Sequence, residues 1–238
     1  MTSTTAVNPT NFGKPRDESN QMEIRINDKV VVFDYGEVIS NVPTDQDRAQ
    51  IIELAGVEPE GFWRAYWHHR DALDEWRISI REYWSRIQHD VGADWDSARL
   101  HSLWLADLRG WMRINPGVLD ILLALQRGGT RMALLSNAGR DYASYFRYGM
   151  LGDFFERVFI SGELGTLKPG EDIFRTLLSG LDVTADRVLF IDNKKENIEG
   201  ARALGIEGHV FTTVDELRAY LEGFAGAAPV EPPPPVSL

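Results

Sequence analysis

The chain has 238 residues, with 25 Lys plus Arg set against 36 Asp plus Glu, a formal net charge of −11. That sign excludes a sequence-independent grip on nucleic acid, because phosphate binding draws on an excess of cations. There is no cysteine, which excludes disulfide scaffolds, zinc–thiolate sites, iron–sulfur clusters and thiol catalysis.

Residues 1–22 are polar and lack the apolar run of a secretory signal, so a disordered tail is expected there. No stretch approaches the roughly eighteen apolar residues of a membrane span, and a cytoplasmic location without a membrane partner is expected. Lys29–Asp34 (KVVVFD) is a continuous apolar run ending in an acid, the pattern of a buried parallel strand. From Val42 to Arg113 only helical patterns occur: Asp47–Leu54, Glu60–His69, Ile80–Val91 and Asp96–Leu108. This stretch holds all seven tryptophans and four of the five histidines. A small helical module needs bulky side chains to fill its core, so packing explains most of these, with one or two left to face a ligand.

Strand and helix then alternate. The apolar runs Arg131–Leu135, Arg157–Ile160, Arg187–Ile191 and His209–Phe211 read as strands. Pro116–Leu125, Ile173–Leu181, Glu196–Leu204 and Val214–Leu221 read as helices. Such alternation predicts an α/β fold with a parallel sheet. The expected division is an α/β core at 23–41 and 114–222, a helical cap at 42–113, and a disordered Pro-rich tail at 223–238.

Ligands of such sheets bind at the carboxyl ends of the strands. Asp34-Tyr35-Gly36-Glu37 follows the first strand and Ser136-Asn137 the second. Lys168-Pro169 lies beyond the third, and Asp192-Asn193-Lys194-Lys195-Glu196-Asn197 follows the fourth. Singly, each has an ordinary reading as a turn, a cap or a helix boundary. Together they supply what phosphate chemistry needs: a carboxylate nucleophile, hydrogen-bond donors, one ammonium, and acids for a hard cation.

The four segments resemble the four motifs of the haloacid dehalogenase (HAD) superfamily: VVFDYGEVI the first, LLSNA the second, the Lys168-Pro169 segment the third and VLFIDNKKENIEGA the fourth. The resemblance spans about Lys29 to Leu221. It is closest to a subgroup of small phosphatases that includes bacterial glucose-1-phosphate phosphatase, through Gly36, the Asn-Ile-Glu-Gly-Ala run and the cap segment Tyr66–Arg70 with Asp74 and Ile78-Ser79. The resemblance implies a HAD-like Rossmannoid sheet of order 5-4-1-2-3 with an inserted α-helical cap. It further implies a Mg²⁺-dependent phosphatase of a small, sugar phosphate-like metabolite, acting through an aspartyl-phosphate. Asp34 would be the nucleophile. Mg²⁺ would lie on Asp34, the Gly36 carbonyl and Asp192, with Asn193 and Glu196 in support. Ser136 and the Asn137 amide would hold phosphoryl oxygens, and Lys168 would contact both phosphate and Asp34.

Many phosphatases of the superfamily carry a second Asp where Gly36 stands, as general acid; glycine cannot transfer a proton. Glu37 is adjacent, but successive side chains generally point apart. Two alternatives accompany the phosphatase reading. One is a 2-haloacid dehalogenase-type hydrolase, against which Asp192 argues, since a second carboxylate facing Asp34 is repulsive without a cation. The other is a non-catalytic ligand-binding protein on the same scaffold. Arg64, His68, His69, Arg70, Asp74 and Trp76 are the cap residues expected near the substrate.

Overall fold

A computed structural model describes residues 22–226. Of the two expected tails, 1–21 and 227–238 lie outside the described residues. A five-stranded, all-parallel sheet forms the centre, in the order β3-β2-β1-β4-β5. Its strands are β1 (Val30–Phe33), β2 (Arg131–Ser136), β3 (Arg157–Ile160), β4 (Val188–Asp192) and β5 (Glu207–Val210). This is the order expected from the sequence, read from the other edge.

The apolar runs are continuous because both faces of the sheet are covered. Successive side chains alternate faces, so Val31, Phe33, Met132 and Leu134 enter one apolar cluster while Val30, Val32, Ala133 and Leu135 enter the other. The first face is covered by α5 (Pro116–Arg127) and α10 (Val214–Glu222). The second is covered by α8 (Glu171–Leu181) and α9 (Lys195–Ala203). β5 starts at Glu207, two residues before the expected His209, where Glu and Gly hide an edge strand from an apolar count. Two short helices, α6 (Ala143–Tyr148) and α7 (Ser161–Leu164), were not anticipated; they are too brief for a periodicity to show.

Between β1 and α5 stand α1 (Asp45–Ala55), α2 (Pro59–Asp74), α3 (Ile80–Asp90) and α4 (Ser97–Trp111). Their starts are encoded locally. Thr44 and Asp47 form a capping box, Pro59 occupies the first turn of α2, and Ser79 and Asp96 accept from backbone amides of α3 and α4. These helices share an apolar cluster of their own around Phe62, Tyr66, Tyr83, Trp84 and Leu103. Their two connections to the sheet meet as a short antiparallel ribbon: Ser40 pairs with Ile114, Asn41 N–H donates to Arg113 O, and Asn115 N–H donates to Ile39 O. No helix among the described residues is long and apolar enough to cross a membrane.

Register sets the chemistry. Phe33 pairs with Leu134 on one side and Ile191 on the other, so Asp34, Leu135 and Asp192 come level at the carboxyl edge. The Asp34 amide still donates to Ile191 O at 2.8 Å. The loop carrying Lys168 is brought to this edge by close contact with α9 at Gly200. A β-carbon there would stand 2.5 Å from Pro169 O and 3.0 Å from Pro169 Cβ. Gly200→Ala is therefore expected to lower stability by about 1–3 kcal/mol, the usual cost of overpacking. Urea unfolding should show a lower midpoint with an unchanged slope.

Candidate active site

Asp34 sits at the mouth of the sheet, 7% exposed. Its Oδ1 accepts from the Tyr35 amide at 2.7 Å and from the Lys168 ammonium at 2.8 Å. Oδ2 has no hydrogen-bond partner among the described residues and is left for the pocket that Asp34 lines. Lys168 is itself buried, and its Nζ donates to Asp34, to Asp192 Oδ2 at 2.7 Å and to Leu135 O at 2.9 Å. All three donors of the ammonium are thereby used. Asn137 fixes this lysine in place: its side-chain amide donates to Lys168 O and accepts from Lys168 N–H, each at 2.9 Å.

Asp192 is fully buried. Oδ1 accepts from the Lys194 amide at 2.8 Å and from Asn197 Nδ2 at 3.0 Å; Oδ2 accepts from Lys168 and again from Asn197 at 3.0 Å. Asn197 is thus the α9 side chain that meets Asp192, whereas Glu196, given a supporting role at the metal by the resemblance, is exposed in the first turn of α9. An asparagine one position further round the helix is the residue whose side chain faces inward.

Burial raises the Asp34 carboxyl from its ordinary 3.8 to about 6; the Asp192 charge adds to the rise, and Lys168 and the Tyr35 amide work against it. Burial alone would pull the Lys168 ammonium down, but Asp34 and Asp192 together push it above its ordinary value.

The turn after Asp34 departs from the alternation assumed from the sequence. Gly36 has φ −65° and ψ 126°, whereas Glu37 has φ 61° and ψ 8°. That left-handed residue folds the chain back, and Asp34, Gly36 and Glu37 all line one pocket. A β-carbon on Gly36 would meet its nearest neighbour, Trp111, only at 3.9 Å. The missing acid side chain is therefore not excluded by space or by backbone conformation.

The pocket has a volume of about 170 Å³ and also includes Ser136, Asn137, Lys168 and Asn193. Of the expected cap residues, only Arg70 and Asp74 reach it. Arg70 is held along one edge: Nε donates to both Asp74 oxygens at 3.0 and 3.1 Å, and Nη1 donates to Tyr66 OH at 2.8 Å. Tyr66 OH donates in turn to Asp107 at 2.7 Å. Asp74 also anchors the helical insert to the sheet, its carbonyl accepting from Ser161 Oγ at 2.7 Å. Arg64 pairs with Glu60 at the surface, and His69 pairs with Asp90. Neither lines the pocket, nor do His68 and Trp76. Trp76 has φ 59°, and its ring lies under Arg140 at 5.1 Å. Asp71 and the aromatic residues Trp67, Trp111 and Tyr142 line the pocket instead. Trp67 and Trp111 belong to the Trp-rich stretch from which one or two ligand-facing residues were expected.

Could this site hold a metal? Among the described residues no three His, Asp or Glu side chains converge to hold one. The donors that do converge are two carboxylates, Asp34 and Asp192, and the backbone at Gly36. That set fits Mg²⁺, which takes one or two carboxylates and keeps several waters. Asp192 already accepts four bonds, about the capacity of a carboxylate. A cation there takes a position now held by a protein donor, and the amide that Asn197 shares between the two oxygens is the weakest held.

In the metal-free protein the raised Asp34 carboxyl has a definite sign. A carboxyl that keeps its proton to higher pH when folded stabilises the fold below its unfolded value of 3.8, and this contribution is lost as pH rises through about 6. Asp34→Asn removes that loss. In chelator, the variant should gain about 1–3 kcal/mol on wild type as pH rises through this window. Denaturant unfolding at several pH values measures it.

A family model for haloacid dehalogenase-like hydrolases matches residues 28–205. D-ribitol-5-phosphate phosphatase of Bacteroides thetaiotaomicron is 24% identical over 190 residues, covering 75% of this chain and 89% of that protein. Glyceraldehyde 3-phosphate phosphatase of Pyrococcus abyssi is 30% identical over 199 residues, covering 75% and 79%. A HAD-family enzyme of B. thetaiotaomicron, solved with magnesium and inorganic phosphate, superposes with a TM-score of 0.63 at 21% identity, over 79% of this chain and 98% of its own. With the family model spanning most of the sheet and all four strand-end segments, the chain belongs to the haloacid dehalogenase-like hydrolase family.

Proposed function

We propose that this protein is a Mg²⁺-dependent phosphomonoester hydrolase of a small phosphorylated metabolite, working through an aspartyl-phosphate on Asp34. The observation that carries the reading is the Lys168 ammonium held between Asp34 and Asp192, with Asp34 Oδ2 left without a partner among the described residues. Related proteins that act on ribitol 5-phosphate and glyceraldehyde 3-phosphate support it.

In this reading Oδ2 attacks phosphorus and the bond to the leaving-group oxygen breaks, its electron pair departing on that oxygen. Water then attacks phosphorus, the bond to Asp34 breaks, and inorganic phosphate leaves with the carboxylate restored. Lys168 holds the nucleophile's other oxygen, keeping Oδ2 directed outward, and its charge opposes the repulsion between carboxylate and phosphate dianion. In this reading Ser136 and the Asn137 amide, which line the same pocket, donate to phosphoryl oxygens. Bound Mg²⁺ supplies further neutralisation of charge in the transition state. In the dehalogenase alternative displacement at carbon needs no metal, and Asp192 keeps only the task of holding Lys168. The binding-protein alternative leaves the free Oδ2 without a task.

Phosphate release from acetyl phosphate and a panel of sugar phosphates should require Mg²⁺ and stop in excess chelator. Asp34→Asn should abolish turnover and Asp192→Ala should depress it severely, with circular dichroism unchanged. Hydrolysis at the wild-type rate in either variant, or in chelator, refutes the mechanism. A general acid is worth about 10²–10⁴-fold, and Gly36 has room for one. Gly36→Asp should therefore fold normally and raise the rate on alkyl phosphates more than on aryl phosphates.

A further inference from the structure

A second cavity, of about 260 Å³, opens beside the reaction pocket and shares Glu37, Trp67 and Trp111 with it. It lies where the helical insert meets the turn after Asp34. Its walls are chiefly Val42, Pro43, Ile51, Trp63, Trp67 and Trp111. Two of these are large apolar side chains left unusually open: Trp67 is 57% and Val42 44% exposed. Three charged residues also touch it. Asp107 is spent on Tyr66 and Arg70, Arg48 is exposed, and Glu37 lies on the side shared with the reaction pocket.

We infer that this cavity receives the leaving group, and that the substrate is a phosphomonoester of an apolar aromatic alcohol. The inference rests on the phosphomonoester-hydrolase reading and departs from the sugar-like leaving group expected from the sequence. Two independent observations carry it. The first is the wall: against Val42, Pro43, Ile51 and the indoles a polyol loses water and regains hydrogen bonds only at the charged edge of Glu37 and Arg48, a penalty that hydrocarbon escapes. At about 260 Å³ the cavity exceeds the roughly 150 Å³ of an engineered cavity that takes up benzene, which leaves space for a substituted or fused aromatic ring. Indole rings on several sides suit edge-to-face contact. The second observation is Gly36. Glycine gives the leaving oxygen no proton, and Glu37 is the carboxyl left at the seam of the two cavities; an oxygen that departs as a stabilised anion needs neither. A phenol-type oxygen has a pKa near 10, far below the value of about 15.7 for water. The bond between phosphorus and the aryl oxygen breaks with its electron pair on that oxygen, and solvent protonates the phenolate afterwards.

The test uses the full chain with Mg²⁺ and three probes: acetyl phosphate, naphthyl phosphate and glycerol phosphate. Val42→Trp fills the cavity from an exposed position outside the reacting groups. Wild type should prefer naphthyl to glycerol phosphate in kcat/KM by about a hundredfold or more. Val42→Trp should lose about tenfold or more on naphthyl phosphate while keeping acetyl phosphate within about twofold, which also shows that the variant is folded. Naphthol should inhibit acetyl phosphate turnover in wild type and far less in the variant. Equal effects of Val42→Trp on naphthyl and acetyl phosphate, or no inhibition by naphthol, overturn the cavity assignment and leave the hydrolase reading intact. Absence of acetyl phosphate turnover in wild type overturns both.

Discussion

One ammonium between two carboxylates organises this site. Lys168 is buried with Asp34 and Asp192 on either side. Burying any of the three alone would cost several kcal/mol, and together they satisfy one another. The arrangement also selects between the two oxygens of Asp34. The one bound by Lys168 and the Tyr35 amide is held, and the other is available. Direction is thus imposed on the carboxylate by charge and hydrogen bonding, with no need for a rigid side chain.

Three levels of packing converge on that ammonium. The parallel register brings Asp34, Leu135 and Asp192 level. The Asn137 side chain, bonded twice to the Lys168 backbone, ties the loop to the end of β2. The bare α-carbon of Gly200 lets that loop approach α9. In the insert the polar work is separate. Arg70, Asp74, Tyr66 and Asp107 form a closed network whose members are each other's partners.

The strands and three of the strand-end segments were legible because each rests on a contiguous run, an apolar strand followed at once by its functional residue; the sheet order and Lys168, eight residues beyond β3, came from the family resemblance. Asp34, Ser136 and Asp192 needed only the rule that ligands gather at strand carboxyl ends. What could not be read depends on rotation about a helix or on one dihedral angle. Asn197 and Glu196 are neighbours in sequence, and only the phase of α9 decides which meets Asp192. Glu37 joins the pocket through a positive φ that no residue type announces, since Glu rarely adopts it. Within the Tyr66–Arg70 segment the sequence named His68, His69 and Arg70; of these only Arg70 lines the pocket, beside Trp67, which it did not single out. The signal that would have pointed to Trp67 is spacing: Trp63, Tyr66, Trp67 and Arg70 recur at three and four residues along one helix face.

The ribbon where Ser40 meets Ile114 has an evolutionary reading. Because the insert leaves and re-enters the sheet through paired backbone, the sheet meets it as a closed loop whatever its contents. Closure entropy grows only with the logarithm of loop length, about 0.6 kcal/mol per doubling. Helices can therefore be added, lost or exchanged beyond the ribbon at little cost to the nucleophile's surroundings. The helical insert is thereby free to drift, while the sheet edge that carries Asp34, Lys168 and Asp192 stays as it is.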